Sequence, residues 1–230
     1  MLSDGPFDVL ERPIALRADN HTYRELEVET RPQLSWTAVQ AERRGLAVVS
    51  SGLLECAVRD LPERPLALTL LRSTRRTVMT DGEPAGLLLG MELRFRLWIV
   101  PLSDEPDRVK LYDLGRLLAA GVRIAHVRPP RPHDPSPAIQ LPAESGFLAI
   151  EGPLALSSLR HVGETMELRI FNPNPTPATA ILRFPPQCRI SETIDLAGNP
   201  LGTSQPLDET HAQTITLNPK QILSLRLRTS

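Results

Sequence analysis

The sequence predicts an all-β protein: antiparallel β-sandwich subdomains with one short helix near 107–120. Three observations lead there. The dominant period is two, as where Met91, Leu93, Phe95, Leu97 and Ile99 alternate with Glu92, Arg94, Arg96 and Trp98. Proline is frequent, 23 of 230 residues, which excludes a helical bundle. Turn signals recur between short apolar runs, which favours a sandwich over a parallel α/β sheet. Hydrophobic residues make up 41% and net charge is −1, so the chain has a core to bury and no reason to be disordered.

The early strand candidates are 24–30, 33–39, 46–50, 54–58 and 66–71. The alternating run at 91–99 follows, its odd residues assigned to the buried face and Trp98 to the outer one. Residues 107–120 break the period. Val109, Leu111, Leu114, Leu117 and Leu118 fall near helical spacing, and Gly121 is a fitting stop. The helix reads as an amphipathic cover for a sheet edge, with Asp104 and Glu105 favouring its N-terminal dipole.

Residues 128–142 hold Pro129, Pro130, Pro132, Pro135, Pro137 and Pro142. Such a stretch reads as a semi-rigid crossing or linker. The predicted organisation is therefore a larger sandwich subdomain over 1–127, the crossing, and a smaller immunoglobulin-like sandwich over 143–230.

Strands are then expected at 147–150, 154–159, 165–170, 178–184, 189–195, 214–217 and 223–228. In the third of these Met166, Leu168 and Ile170 form the apolar face; in the last, Leu223, Leu225 and Leu227 do. The turns between strands are Asn172-Pro173-Asn174-Pro175, Ala197-Gly198-Asn199-Pro200 and Asn218-Pro219-Lys220.

Charge argues against a nucleic-acid partner: 26 Lys+Arg face 27 Asp+Glu, and the arginines are scattered. The longest apolar runs are about six residues, against roughly 20 for a membrane helix. The N-terminus shows no basic or apolar leader, so a cytoplasmic location is expected. Cys56 and Cys188, both in apolar runs, read as buried thiols rather than a bridge.

No motif carries chemistry. His21, His126, His133, His161 and His211 include no pair at helical ligand spacing. His133-Asp134 is the only adjacent His–carboxylate pair, and it sits in the crossing. Ser50-Ser51-Gly52 and Ser157-Ser158 lack a local base. Asp104 and Glu105 are the best-looking acidic pair, better explained by the helix start. Trp36 and Trp98 suit strand packing, and with 4% aromatics a sugar-stacking platform is not expected. No catalytic residue and no metal ligand is assigned.

Three stretches carry a resemblance. The first is Gly45-Leu46-Ala47-Val48-Val49-Ser50-Ser51-Gly52, then Leu66-Ala67-Leu68-Thr69-Leu70-Leu71-Arg72-Ser73. The second is 91–101, a strand ending in proline, followed by the helix. The third is Gly146-Phe147-Leu148-Ala149-Ile150-Glu151, then 154–160, Arg169-Ile170-Phe171-Asn172-Pro173 and the terminal Leu225-Arg226-Leu227-Arg228. In this order they resemble the C-terminal half of glycoside hydrolase family 38, the α-mannosidases, over residues 24–228. Departures are Pro101-Leu102, where relatives often have Pro-His, and Arg160, where they often carry Lys before a longer acidic stretch.

The resemblance implies β-sandwich subdomains behind a catalytic α/β barrel, which is the expected partner. It implies zinc in that barrel, not here, because no His-x-Asp motif is present to carry over. It marks Arg72 and the loop 74–90 as candidates for the rim facing the barrel, a solvated surface loop being the plain alternative. The expected role is non-catalytic support, with this chain alone inactive. The alternatives are a freestanding carbohydrate-binding module for mannose-containing glycans and an independent hydrolase built from scattered residues. A domain parted from its barrel should also expose an apolar face, and so form a homodimer.

Overall fold

A computed structural model describes residues 1–42, 44–72, 90–124, 145–203 and 207–229. The chain divides into two compact units, Met1–Ala119 and Ala120–Ser230. The proline-rich stretch 128–142 lies outside the described residues, as does the loop 74–90 apart from Gly90.

The strands of the first unit are β1 (Leu2–Asp4), β2 (Val9–Glu11), β3 (Thr30–Pro32), β4 (Trp36–Ala41), β5 (Arg44–Ser50), β6 (Glu55–Val58), β7 (Leu66–Leu68) and β8 (Leu97–Leu102). The helix is α1 (Arg108–Ala120). The second unit holds β9 (Ala149–Glu151), β10 (Ala155–Val162), β11 (Thr165–Phe171), β12 (Ala178–Arg183), β13 (Cys188–Ile194), β14 (Pro200–Thr203), β15 (Ala212–Leu217) and β16 (Ile222–Thr229). All strand pairings among the described residues are antiparallel, as the period-two reading predicts.

In the first unit a five-stranded sheet runs β2-β1-β4-β5-β8 and a three-stranded one β3-β6-β7. Leu111 and Leu118 of α1 pack on Trp36, Ala38, Ala47 and Val49, so the helix covers the face of the larger sheet rather than an edge. Asp107 starts α1: its carboxylate accepts the Lys110 amide at 3.0 Å. Gly121 ends it at φ +65°. The smaller sheet meets the other face through Cys56, whose sulfur lies 2.8 Å from the Thr37 hydroxyl.

One buried carboxylate ties these pieces together. Asp4 is 2% exposed. It accepts the amides of Leu34 (3.0 Å), Ser35 (2.8 Å) and Trp36 (2.9 Å) and the Ser35 hydroxyl (2.6 Å). Nearby, the Gln33 amide donates to Leu53 O at 2.7 Å and accepts from Thr37 at 2.5 Å. Gly115 of α1 sits directly on this hub. A Cβ there would lie 2.1 Å from Ser35 Oγ.

Two strand expectations are corrected. Residues 24–29 are not a strand: the Asn20 side chain takes both backbone groups of Glu27, accepting its N–H at 2.7 Å and donating to its C=O at 2.9 Å. That removes the groups a ladder would use, and Leu26 and Val28 stay exposed. The run 91–99 becomes strand only from Leu97, with its faces reversed. Trp98 pairs with Val49 and Val100 with Ala47, which turns Trp98, Val100 and Leu102 to the core. Leu97 and Ile99 point outward, the latter 69% exposed. The strands β1, β2 and β14 are additions the sequence did not signal.

The second unit is a sandwich of β10-β11-β16-β13-β14 and β15-β12-β9. Met166, Leu168, Ile170, Leu225 and Leu227 are buried as predicted, with Leu154, Leu182 and Cys188 beside them. The Asn172 turn is pinned from inside. Its fully buried amide donates to Thr176 O (2.8 Å), Leu217 O (3.1 Å) and Asn218 O (3.2 Å).

Two substitutions test the first unit. Gly115→Ala is expected to cost about 3 kcal/mol through overpacking on Ser35. Asp4→Ala, which orphans the buried amides of Ser35 and Trp36, is expected to cost about 3 kcal/mol or more. Urea unfolding followed by tryptophan fluorescence reads both through Trp36.

Candidate functional site

Arg72, the residue singled out for the rim, lies just past β7. Its guanidinium donates to Glu55 Oε1 of β6 at 2.5 Å, and the Thr69 hydroxyl donates to the same oxygen at 2.7 Å. The Arg72 side chain is 68% exposed. Around it the exposed apolar residues Leu54, Leu70 and Leu71 cluster in sequence at the ends of β6 and β7. This corner is an anchored cation among leucines.

The other flagged residues do not converge. Trp36 is fully buried in the first unit's core and Trp98 packs against it, so neither offers a stacking face. Asp104 accepts the Ser103 hydroxyl at 3.0 Å. Ser50 is buried and donates to Ser35 O at 3.3 Å. His161 sits exposed on β10, His211 in a turn at φ 57° and His21 in a short 3₁₀ turn. His126 and His133-Asp134 lie outside the described residues. Among the described residues no histidine side chain bonds a serine, threonine or cysteine. The buried Ser35–Asp4 pair is no nucleophile and base, because the carboxylate is saturated by backbone donors.

Zinc does not fit the described residues. Among the described residues no three His, Cys, Asp or Glu side chains come together as a metal-binding group. Cys56 and Cys188 are free and buried, one in each unit. Burial raises both thiols above their ordinary value.

A row of paired charges crosses the larger sheet of the second unit. In the second unit Arg160, Glu167, Arg226 and Glu192 stand opposite one another across β10, β11, β16 and β13. Arg160 donates to Glu167 at 2.7 Å; Arg226 reaches Glu192 at 2.6 Å and Glu167 at 3.5 Å. The 195–199 turn folds over this row, with Gly198 O accepting from Arg226 at 2.6 Å. The hydrogen bond from Arg160 and then its charge, with a smaller contribution from Arg226, hold the Glu167 carboxyl below its usual range despite burial. The row is internally neutral, so it braces the sheet and leaves no charge free for a ligand. Its members occupy polar positions of alternating strands, but only the register shows that they meet.

A cleft of about 220 Å³ opens where α1 begins, with Glu11, Gln40, Glu105 and the buried Arg108 on its walls. It carries no aromatic residue. Arg108 is turned inward to Val9 O at 3.3 Å.

No protein-family model matches the sequence, and no curated protein does. Solved structures share the fold. An alpha-mannosidase from Enterococcus faecalis V583 superposes with a TM-score of 0.73 at 18% identity, over 98% of this chain and 24% of that one. A protein in the glycosyl hydrolase family 38 from Enterococcus faecalis superposes with a TM-score of 0.70 at 17% identity, again over 98% and 24%. The chain thus spans about a quarter of the length of the structures it matches. The resemblance drawn from the sequence is borne out at the level of the fold.

Two measurements test these assignments. Because the folded carboxyl of Glu167 is depressed, its contribution is present above the unfolded value near 4.5 and is lost as pH falls through the lower, folded one. The difference in melting temperature between wild type and Glu167→Gln should therefore hold at neutral pH and close as pH falls below 4.5. Both thiols should resist a thiol-specific reagent at pH 7 until the protein is unfolded.

Proposed function

We propose that this chain is the non-catalytic β-sandwich portion of an α-mannosidase-like glycoside hydrolase, supporting the catalytic body and contributing to its substrate rim. The observation that carries this reading is the fold, which matches nearly all of this chain to a quarter of an alpha-mannosidase. The distribution of apolar surface supports it. Of the 21 large hydrophobic side chains exposed among the described residues, 16 belong to the first unit. A unit that leaves so much apolar area in water is suited to a cover. The corner holding Leu54, Leu70, Leu71 and Arg72 is our assignment for the contact with that body. Hydrolysis and zinc then belong to the rest of the enzyme, and mannose-containing glycans are its substrates. A cytoplasmic setting is part of the same proposal.

An antibody raised against the purified chain tests this. Precipitation from source cells should bring down α-mannosidase activity, either on a chain several times larger than 25.5 kDa or on a partner chain. A 25.5 kDa band with no such activity would overturn the proposal. Titration of the isolated chain with mannose and mannobiose should be silent. Millimolar or tighter binding would instead favour a carbohydrate-binding module.

A further inference from the structure

Residues 91–97 form an arm in which every residue is exposed. Met91, Leu93 and Phe95 occupy alternate positions, 61%, 39% and 44% exposed, in phase with Leu97 and Ile99 on the outer face of β8. Glu92, Arg94 and Arg96 fill the intervening positions. Among the described residues β8 ends its sheet, and 91–96 has neither a ladder partner nor a backbone hydrogen bond. An apolar stripe on a segment with no backbone partner among the described residues is a template for strand addition.

We propose that the added strand is the same arm of a second copy, paired antiparallel about a two-fold axis at Leu93. Charge selects this occupant and this register. Centred on Leu93, Met91 faces Phe95 of the other copy, and Glu92 faces Arg94 twice over. Centring on Glu92 or Arg94 sets that residue against itself, and centring on Phe95 sets Arg94 against Arg96. Each of those places like charges directly opposite, which destabilises a sheet. Glu92 and Arg94 now pair within the chain at 2.7 Å, with side chains 73% and 85% exposed. Both can therefore exchange partners without any burial being undone. A two-fold axis makes the contact self-complementary and closed, which limits it to a dimer. The paired segment is short, so the dimer belongs with small, weak interfaces and forms at roughly 0.1–1 mM chain.

Sedimentation equilibrium of the 230-residue chain tests this, and it does so independently of the function proposed above. The expected result is a monomer–dimer equilibrium abolished by Phe95→Glu and unaffected by Leu70→Glu, a control at the other apolar corner. Glu92→Arg and Arg94→Glu should each weaken association roughly tenfold, through paired like charges. The double reversal should restore it. Phe95, Glu92 and Arg94 all lie on the exposed arm outside the core, so these variants should keep the wild-type melting temperature. A monomer throughout that range, single reversals without effect, or loss of association in Leu70→Glu alone would overturn the proposal.

Discussion

The first unit depends on a single carboxylate. Asp4 gathers the amides of Leu34, Ser35 and Trp36 and the Ser35 hydroxyl, those of Ser35 and Trp36 in the dry interior. A buried charge is tolerated only when its acceptor capacity is filled, and here it is. The same bonds fix where β4 begins, and so the phase that sends Trp36 and Ala38 toward α1 and Thr37 toward Cys56. Gly115 lets the helix settle on this point, since any side chain would meet Ser35. Position, phase and helix docking are consequences of one polar contact, in a unit whose buried apolar cluster is small.

The second unit solves the same problem by the opposite means. Its core joins Leu154, Leu168, Ile170, Leu182, Leu225 and Leu227, all nearly inaccessible to water. Polar fixation is confined to places where backbone groups would otherwise go unpaired, such as Asn172 holding the turn carbonyls. The two units therefore differ in what each needs from its surroundings. One encloses most of its large apolar side chains, whereas the other leaves many of them facing water.

That difference also explains what could be read from the sequence. The strands of the second unit were legible because Met166, Leu168 and Ile170, or Leu225 and Leu227, mark an uninterrupted apolar face. In the first unit Ser3, Thr37 and Ser50 are buried between the sheets, so the alternation is lost where a strand is polar on its hidden side. The segment 91–99 misled for the converse reason. Its apolar odd residues faced water, and the aromatic bulk of Trp98, on the other parity, filled the core. The helix was legible in its spacing and its stop, whereas its capping residue, Asp107, follows the acidic pair singled out for that role. Of the candidate site, Arg72 came from family resemblance alone. Asp4 gave no signal, because one aspartate among turn residues acquires meaning only from amides 30 positions away.

The row Arg160–Glu167–Arg226–Glu192 has a consequence for how the second sheet finds its alignment. A slip of one residue would expose the apolar face and is rejected by water alone. A slip of two keeps every leucine inside, so the hydrophobic pattern cannot detect it. Charge can. Moving β11 two residues one way along β10 would bring Arg169 opposite Arg160, and moving it two residues past β16 would leave Glu167 opposite Ser224 or Arg228 rather than Arg226. The row thus works as an index mark, telling apart alignments between which the core itself is indifferent.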